Sequence, residues 1–158
     1  MGLSLTSTAF KEGAPIPVKH TCDGADLSPP LAWSGVPPGT AALALIADDP
    51  DAPGRTWVHW VLYDLPAVFA GLPENVSKTE APKELGGAAQ GRNDSRELGY
   101  GGPCPPLGPA HRYFFKLYAL AKPLGLKPGA SKQDVERAMG GQVLATAQLI
   151  GKYGRQRR

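Results

Sequence analysis

The stretch YGGPCPPLGPAHRYFFKLYAL, residues 100–120, constrains this chain more than any other. Four prolines, at 103, 105, 106 and 109, fall within seven residues. Proline fixes φ at about −65° and has no N–H to donate, so this segment suits neither a helix interior nor a central strand. It runs without a pause into HRYFFKLYAL, which is aromatic and β-prone. Glycine and proline, 20 and 17 of the 158 residues, together stand at about double their usual share of roughly 12%. They show no period, which excludes collagen, and the apolar segments between them are too strong for disorder. The chain reads as a mainly β protein with many shaped turns.

LSLTSTAF reads as a first strand, and KEGAPIPVKHTCDGADLSPPLAW as a long connection made extended by its prolines. AALALIADDPDAPG is an apolar strand ending abruptly in acids and prolines, and TWVHWVLYDLP is the next, bounded by Pro66. Residues 67–99 are polar and glycine-rich and read as surface excursions with a short helical turn. SKQDVERAMGG carries the signature of a capped helix, with Ser131 as N-cap, Asp134 three residues on and Gly140 as its stop. Val143, Ala147 and Ile150 fall at i, i+4 and i+7 and predict a second C-terminal helix. No repeat or boundary interrupts the chain, so residues 1–158 are expected to form one domain, with 155–158 a basic tail.

Net charge is +3, and Lys152–Arg158 contribute four cations without an acid. Such a tail reads as a solvated end, so no nucleic-acid partner is expected. No apolar run is long enough to span a membrane. MGLSLTSTAF lacks the basic region and apolar core of a secretion signal, which predicts a cytoplasmic location. MGLSLT also fits a myristoylation pattern, and equally the start of a strand. Two cysteines make neither a disulfide framework nor a metal knuckle.

Side chains alternate along strands. Strict alternation puts Trp57, His59, Val61 and Tyr63 on one face of TWVHWVLY, and His111, Tyr113, Phe115 and Leu117 on one face of the 111–120 strand. A lone histidine in such a strand is ordinarily a core or rim residue. DDPDAPG crowds Asp48, Asp49 and Asp51 at a strand end, and Pro50 and Pro53 fix their direction. That cluster reads either as a β-turn or as acids aimed at a histidine.

DDPDAPG, VHWVLYDLP and GYGGPCPPLGPAHRYFFKLYAL, in this order, closely resemble the phosphatidylethanolamine-binding protein family, in its bacterial Raf-kinase-inhibitor-like branch. HTCDGADLSPPLAW and VLATAQLIGKY extend the likeness over residues 3–153. The resemblance implies a large antiparallel β-sheet packed with a smaller one, plus short C-terminal helices. It implies a small pocket for an anion such as phosphate, a phosphorylated small molecule or a phospholipid head group. Its ligand-binding residues would be Asp49, His59, Gly102, Pro103, His111 and Tyr113, supported by Asp51, Trp57 and Cys104. No metal or cofactor is implied. A kinase or protease is the kind of protein partner known among eukaryotic relatives. Two departures stand out: the 107–110 loop is a residue shorter than expected, and Gln142 stands where many bacterial relatives carry histidine.

A metal-free anion pocket needs donors, and prolines leave the N–H groups of Gly101, Gly102 and Cys104 as candidates beside His59, His111 and Tyr113. Asp49 is expected to orient an imidazole, so that binding strengthens as pH falls toward about 6.5. The proline-rich loop reads equally as a cap on the sheet edge, with a cis proline. The competing function is an enzyme, in which Asp49, His59 and His111 form a two-histidine, one-carboxylate metal site or a hydrolase acid–base pair. Against it, no GxSxG or HExxH pattern occurs. Cys22 and Cys104 are expected to lie close together, as thiols in a cytosol and able to bridge when oxidised. A homodimer is expected through an exposed sheet edge or the Ala/Leu-rich C-terminal segment, with Trp33 and Leu72 as exposed apolar contacts.

Overall fold

The computed structural model describes residues 2–155. Two antiparallel sheets form. The smaller has β1 (Ser4–Thr6), β2 (Leu31–Ser34) and β5 (Gly71–Leu72), with β2 in the middle. The larger runs β6 (Ala89–Gln90), β4 (Trp57–Pro66), β3 (Ala42–Asp49), β7 (His111–Leu120) and β8 (Val143–Tyr153). One helix, α1 (Lys132–Met139), and short 3-10 turns at Val18–His20 and Lys83–Leu85 complete the described residues. No helix among them is long and apolar enough to cross a membrane.

β3 is the central strand because ALALIADD is apolar on both faces, and all eight residues are buried. Leu43, Leu45 and Ala47 face a core shared with Leu5, Leu31 and Trp33 of the small sheet. Ala44 and Ile46 face a second cluster closed by Val135 and Met139 of α1. Each fully buried large side chain contributes about 1.5–3 kcal/mol, and Trp60, Tyr63, Phe115 and Leu117 are all below 2% exposed.

α1 starts where the capping box predicts: Ser131 Oγ accepts from Asp134 N, and Asp134 Oδ2 accepts from Ser131 N. The second helix does not form. Residues 143–153 pair with β7 instead, with Ala145, Ala147, Leu149 and Gly151 opposite Ala119, Leu117, Phe115 and Tyr113. Ala145, Ala147 and Leu149 satisfy a period of two, with Ile150 on the other face, and the unpaired edge of β7 decides between the periods.

Residues 67–99 are less superficial than expected. Gln90 is fully buried; its Oε1 accepts from Trp60 Nε1 at 2.8 Å, and its Nε2 donates to the carbonyls of Ser77 and Thr79. Trp33 and Leu72, expected as exposed contacts for a second copy, are 6% and 4% exposed. They close the small sheet onto the core, with Trp33 Nε1 donating to Phe69 O at 2.8 Å. No cis peptide occurs among the described residues, so the proline-rich loop is stiff without one. Of the basic tail, residues 156–158 lie outside the described residues.

Candidate functional site

A cavity of about 400 Å³ opens at the end of the large sheet where β3 finishes and β7 begins. Asp49, Trp57, His59, Gly102, Cys104, His111 and Tyr113 line it, together with Ala52, Pro53, Ser95, Pro105 and Pro106. Of the residues expected at the site, Pro103 and Asp51 do not line it.

A bulge aims His59. Ala47 pairs with Trp60 and Asp48 with Val58, so His59 is an extra residue with no partner across β3. Bulges re-aim side chains. Val58 and Val61 thereby share the α1 face, while His59 joins Trp57 in the cavity. Strict alternation would have left His59 with Val61 and Tyr63 on the far side. The bulged segment is fixed by the proline-rich loop: Gly101 N donates to His59 O at 2.9 Å, and His59 Nδ1 lies 2.6 Å from Gly101 O. A carbonyl only accepts, so His59 carries a hydrogen on Nδ1 and turns Nε2 away from the loop. Burial pulls the basicity of His59 below the usual histidine range, partly offset by the Gly101 carbonyl and by Asp49, Asp48 and Asp26.

His111 is held differently. Its Nδ1 is 2.7 Å from Asp49 Oδ2, while Asp49 Oδ1 accepts from Asp51 N at 2.8 Å. Asp49 is 3% exposed and both its oxygens are engaged, so it serves as the orienting group. Neither His59 Nε2 nor His111 Nε2 has a hydrogen-bond partner among the described residues, and neither is sealed from solvent. Between the two rings stands Tyr113, edge-on to His59 with centroids 5.2 Å apart and stacked on His111 at 6.4 Å. Its hydroxyl is buried and has no partner. Burial, then the negative charges of Asp49 and Asp51, push its pKa far up and keep the proton on.

Asp51 brackets the rim from outside. It takes the fork of Arg112, with Nε and Nη2 each at 2.9 Å, and also accepts from Arg112 N. The Arg112 hydrogen bond holds its carboxyl down at about 2. Gly102 also plays a part other than the expected one. Its N–H donates to Asp26 Oδ1 at 2.8 Å, and Gly101 N–H is taken by His59 O, so neither is free for a ligand. A Cβ on Gly102 would collide with His20 O and Asp26 Oδ1. The glycine is needed for close approach to the 20–26 segment. Cys104 is disulfide-bonded to Cys22, with Cα atoms 5.4 Å apart, and Cys22 N donates to Pro103 O. The expected proximity of the two cysteines at the site is thus found, and the pair is bridged rather than present as thiols.

Sequence reasoning missed Ser95 and Asp26. Asn93 builds the loop that carries Ser95, its Oδ1 accepting from Ser95 N and Glu97 N. The turn-forming NDS triplet is the one signal of it. Gln142 does not line the cavity; its backbone joins Met139 to Ala121. No three His, Cys, Asp or Glu among the described residues come together as a metal site. The two-histidine, one-carboxylate arrangement is not formed, because Asp49 is spent on His111 and Asp51 N.

A family model described as phosphatidylethanolamine-binding protein matches residues 6–154. The chain belongs to the phosphatidylethanolamine-binding protein family. It is 54% identical over 153 residues to a UPF0098 protein of Methanothermobacter thermautotrophicus, covering 97% of this chain and 99% of the relative. A UPF0098 protein of Aquifex aeolicus is 50% identical, with 97% and 89% covered. Among crystal structures, E. coli YbcL, described as a new member of the mammalian family, superposes with a TM-score of 0.92 at 35% identity, over 99% of this chain and 100% of that one. The family homologue CT736 of Chlamydia trachomatis gives 0.88 at 40%, with 98% and 99% covered. The fold and family expected from the motifs are thus those found.

Proposed function

We propose that the chain is a non-enzymatic binding protein whose cavity takes a phosphate-like anion: phosphate itself, a phosphorylated small molecule or a phospholipid head group. Membership in the phosphatidylethanolamine-binding protein family supports binding in general over catalysis. The observation that carries the reading is the Tyr113 hydroxyl, buried and unpartnered on the cavity wall. Leaving such a group unsatisfied costs about 1–3 kcal/mol, which a ligand oxygen would relieve. Tyr113 would donate to that oxygen, with His111 and His59 on either side; Gly102, Pro103, Asp51, Trp57 and Cys104 would shape and brace the site.

A kinase or protease partner would meet the rim around Pro105 and Pro106. A second copy would pair along β8, whose outer edge is covered by residues 13–16 only near Ile150 and Lys152. One domain over 1–158 and a cytoplasmic location complete the reading. Location has a direct test: alkylation in intact cells will label Cys22 and Cys104 as thiols if the protein works in a reducing compartment.

Titration with inorganic phosphate and phosphorylethanolamine, followed on the histidine ring signals by NMR, tests the site. Binding is expected in the range of roughly mM to µM. His111→Ala should weaken it about tenfold or more, since a charge-assisted hydrogen bond is worth about 1.5–3 kcal/mol. No ring shifts in the wild type, or equal affinity in the variant, would sink the assignment.

A further inference from the structure

We infer that the Cys22–Cys104 bond is a reversible thiol–disulfide exchange site whose state sets the affinity of the cavity. Bridged, it holds the proline-rich rim in place around the anion. Opened by a dithiol, small or borne by a partner protein, it releases the rim and weakens binding. The inference rests on the anion reading above and adds a control to that site.

Residues 104–106 have little else to hold them. Upstream the wall is tied at each residue: Gly101 N donates to His59 O, Gly102 N to Asp26 Oδ1, and Pro103 O accepts from Cys22 N at 3.1 Å. Downstream the chain is caught again at Leu107 and Gly108, where Gly108 N donates to Arg155 O at 3.0 Å. Between these points, no hydrogen bond among the described residues involves Cys104, Pro105 or Pro106. The two prolines have no N–H to give. The Cys104 N–H has no partner, and all three residues line the cavity. The bridge to Cys22 is therefore the one bond that fixes this part of the rim and aims the Cys104 N–H. Its other end is firm: Thr21 N and Oγ1 both donate to Val18 O, and Tyr100 Oη donates to His20 O at 2.7 Å.

The bridge is also open to attack. Both Cys22 and Cys104 are exposed, so a thiolate reaches them without opening the core. Exposed disulfides are the labile and regulatory ones, whereas shielded structural ones resist the thiol pool. In the exchange, the thiolate of the dithiol attacks one sulfur of the bridge. The S–S bond breaks, and the other cysteine leaves as a thiolate and takes a proton. The second thiol of the dithiol then attacks the mixed disulfide, frees the first cysteine and closes into a disulfide of its own. The bridge gains two electrons and two protons, and the dithiol loses both. The hydrogen bonds of Gly101, Gly102 and Cys22 survive this step, so the two thiols stay neighbours and a disulfide oxidant restores the bridge. Only the rim beyond Pro103 is released.

The wild-type protein is equilibrated without denaturant in mixtures of reduced and oxidised dithiothreitol, and each state is titrated with inorganic phosphate. Reduction is expected to proceed in the folded protein, with both cysteines then open to alkylation and the native spectrum kept. Phosphate affinity should fall about fivefold or more, the loss of one hydrogen bond of about 1 kcal/mol. Coupling is reciprocal, so saturating phosphate should lower the reduction potential of the bridge. A tenfold ratio is about 30 mV for two electrons, and fivefold is about 20 mV. The double variant Cys22→Ser, Cys104→Ser should bind as the reduced wild type does and ignore dithiothreitol. Equal affinity in the two states, a bridge reduced only once urea is added, or a fold lost on reduction each overturns the inference while leaving the anion site standing. No binding by the oxidised protein removes both. The reduced wild type needs no substitution, so the test holds even if the double variant does not fold.

Discussion

The two walls of the cavity are built from opposite materials. The β3–β7 side is held by charge: Asp49 on His111 at 2.7 Å, and Asp51 on the Arg112 fork at 2.9 Å. The proline-rich side is held by covalent and backbone ties: the Cys22–Cys104 bond, Gly102 N on Asp26, Gly101 N on His59 O and Cys22 N on Pro103 O. The difference teaches which wall answers to which disturbance. Salt and acid act on the first, and reductant and steric change act on the second. Each histidine inherits the character of its wall. His111 leans on a carboxylate and His59 on a carbonyl, and burial lowers the basicity of His59.

The largest expected effect lies on the covalent side. The bond joins residues 82 positions apart, and closing a loop of that size is worth about 4.5 kcal/mol by chain entropy. Urea unfolding with and without reductant should show a loss of that order, matched by Cys22→Ser. An unchanged midpoint would mean the backbone ties hold this wall unaided. Next comes Gly102→Ala. The added methyl meets the His20 and Asp26 oxygens and comes within 2.9 Å of Thr21 Cα. Backbone cannot yield as a side chain does, so about 2–3 kcal/mol should be lost, with the affinity for phosphate falling alongside. A variant as stable as wild type would show the 20–26 segment to be movable.

His59 gives an intermediate effect that sharpens the contrast. Burial lowers its basicity, so the unfolded chain takes up the proton more readily. The stability from keeping it neutral is fully present above about 6.5 and is lost as pH falls through that value. The wild type should therefore be less stable at pH 5.5 than at 7.5. In His59→Gln that pH slope should shrink, whatever the variant's absolute stability. An identical slope in the two proteins would move the titrating group elsewhere.

The strands were legible wherever apolar residues are dense on both faces. β3, β4 and β7 follow from ALALIADD, WVHWVLYDLP and HRYFFKLYAL because no other element buries such segments. β8 was misread because small and apolar residues at 143–150 fit both periods, and only the free edge of β7 decides. At the site, the residue types were legible and their partners were not. Nothing local announces the bulge at His59, which arises from pairing across two strands. The proline pattern showed that few N–H groups remain, yet the partners that take those of Gly101 and Gly102 lie 42 and 76 residues away. Long-range pairing is what local pattern does not encode.

The smallest effect belongs to the outer brace of the charged wall. Asp51 is partly exposed and its carboxyl is held at about 2, chiefly by the Arg112 hydrogen bond. Depressed in the folded state, it contributes stability above the unfolded value of about 3.9 and loses that contribution as pH falls toward 2. Solvent screens such a pair, so its removal should barely move the unfolding midpoint at neutral pH. Its consequence should appear in binding. Asp51 also accepts from Arg112 N, next to His111, and its own N–H steadies Asp49 Oδ1. Asp51→Asn should loosen that corner and weaken phosphate binding about two- to fivefold, the range of an exposed ion pair, and wild-type binding should weaken similarly in high concentrations of sodium chloride. Reduction of the disulfide should not reproduce this salt dependence. If Asp51→Asn binds as tightly as wild type and salt has no effect, the charged wall is positioned by Asp49 and His111 alone.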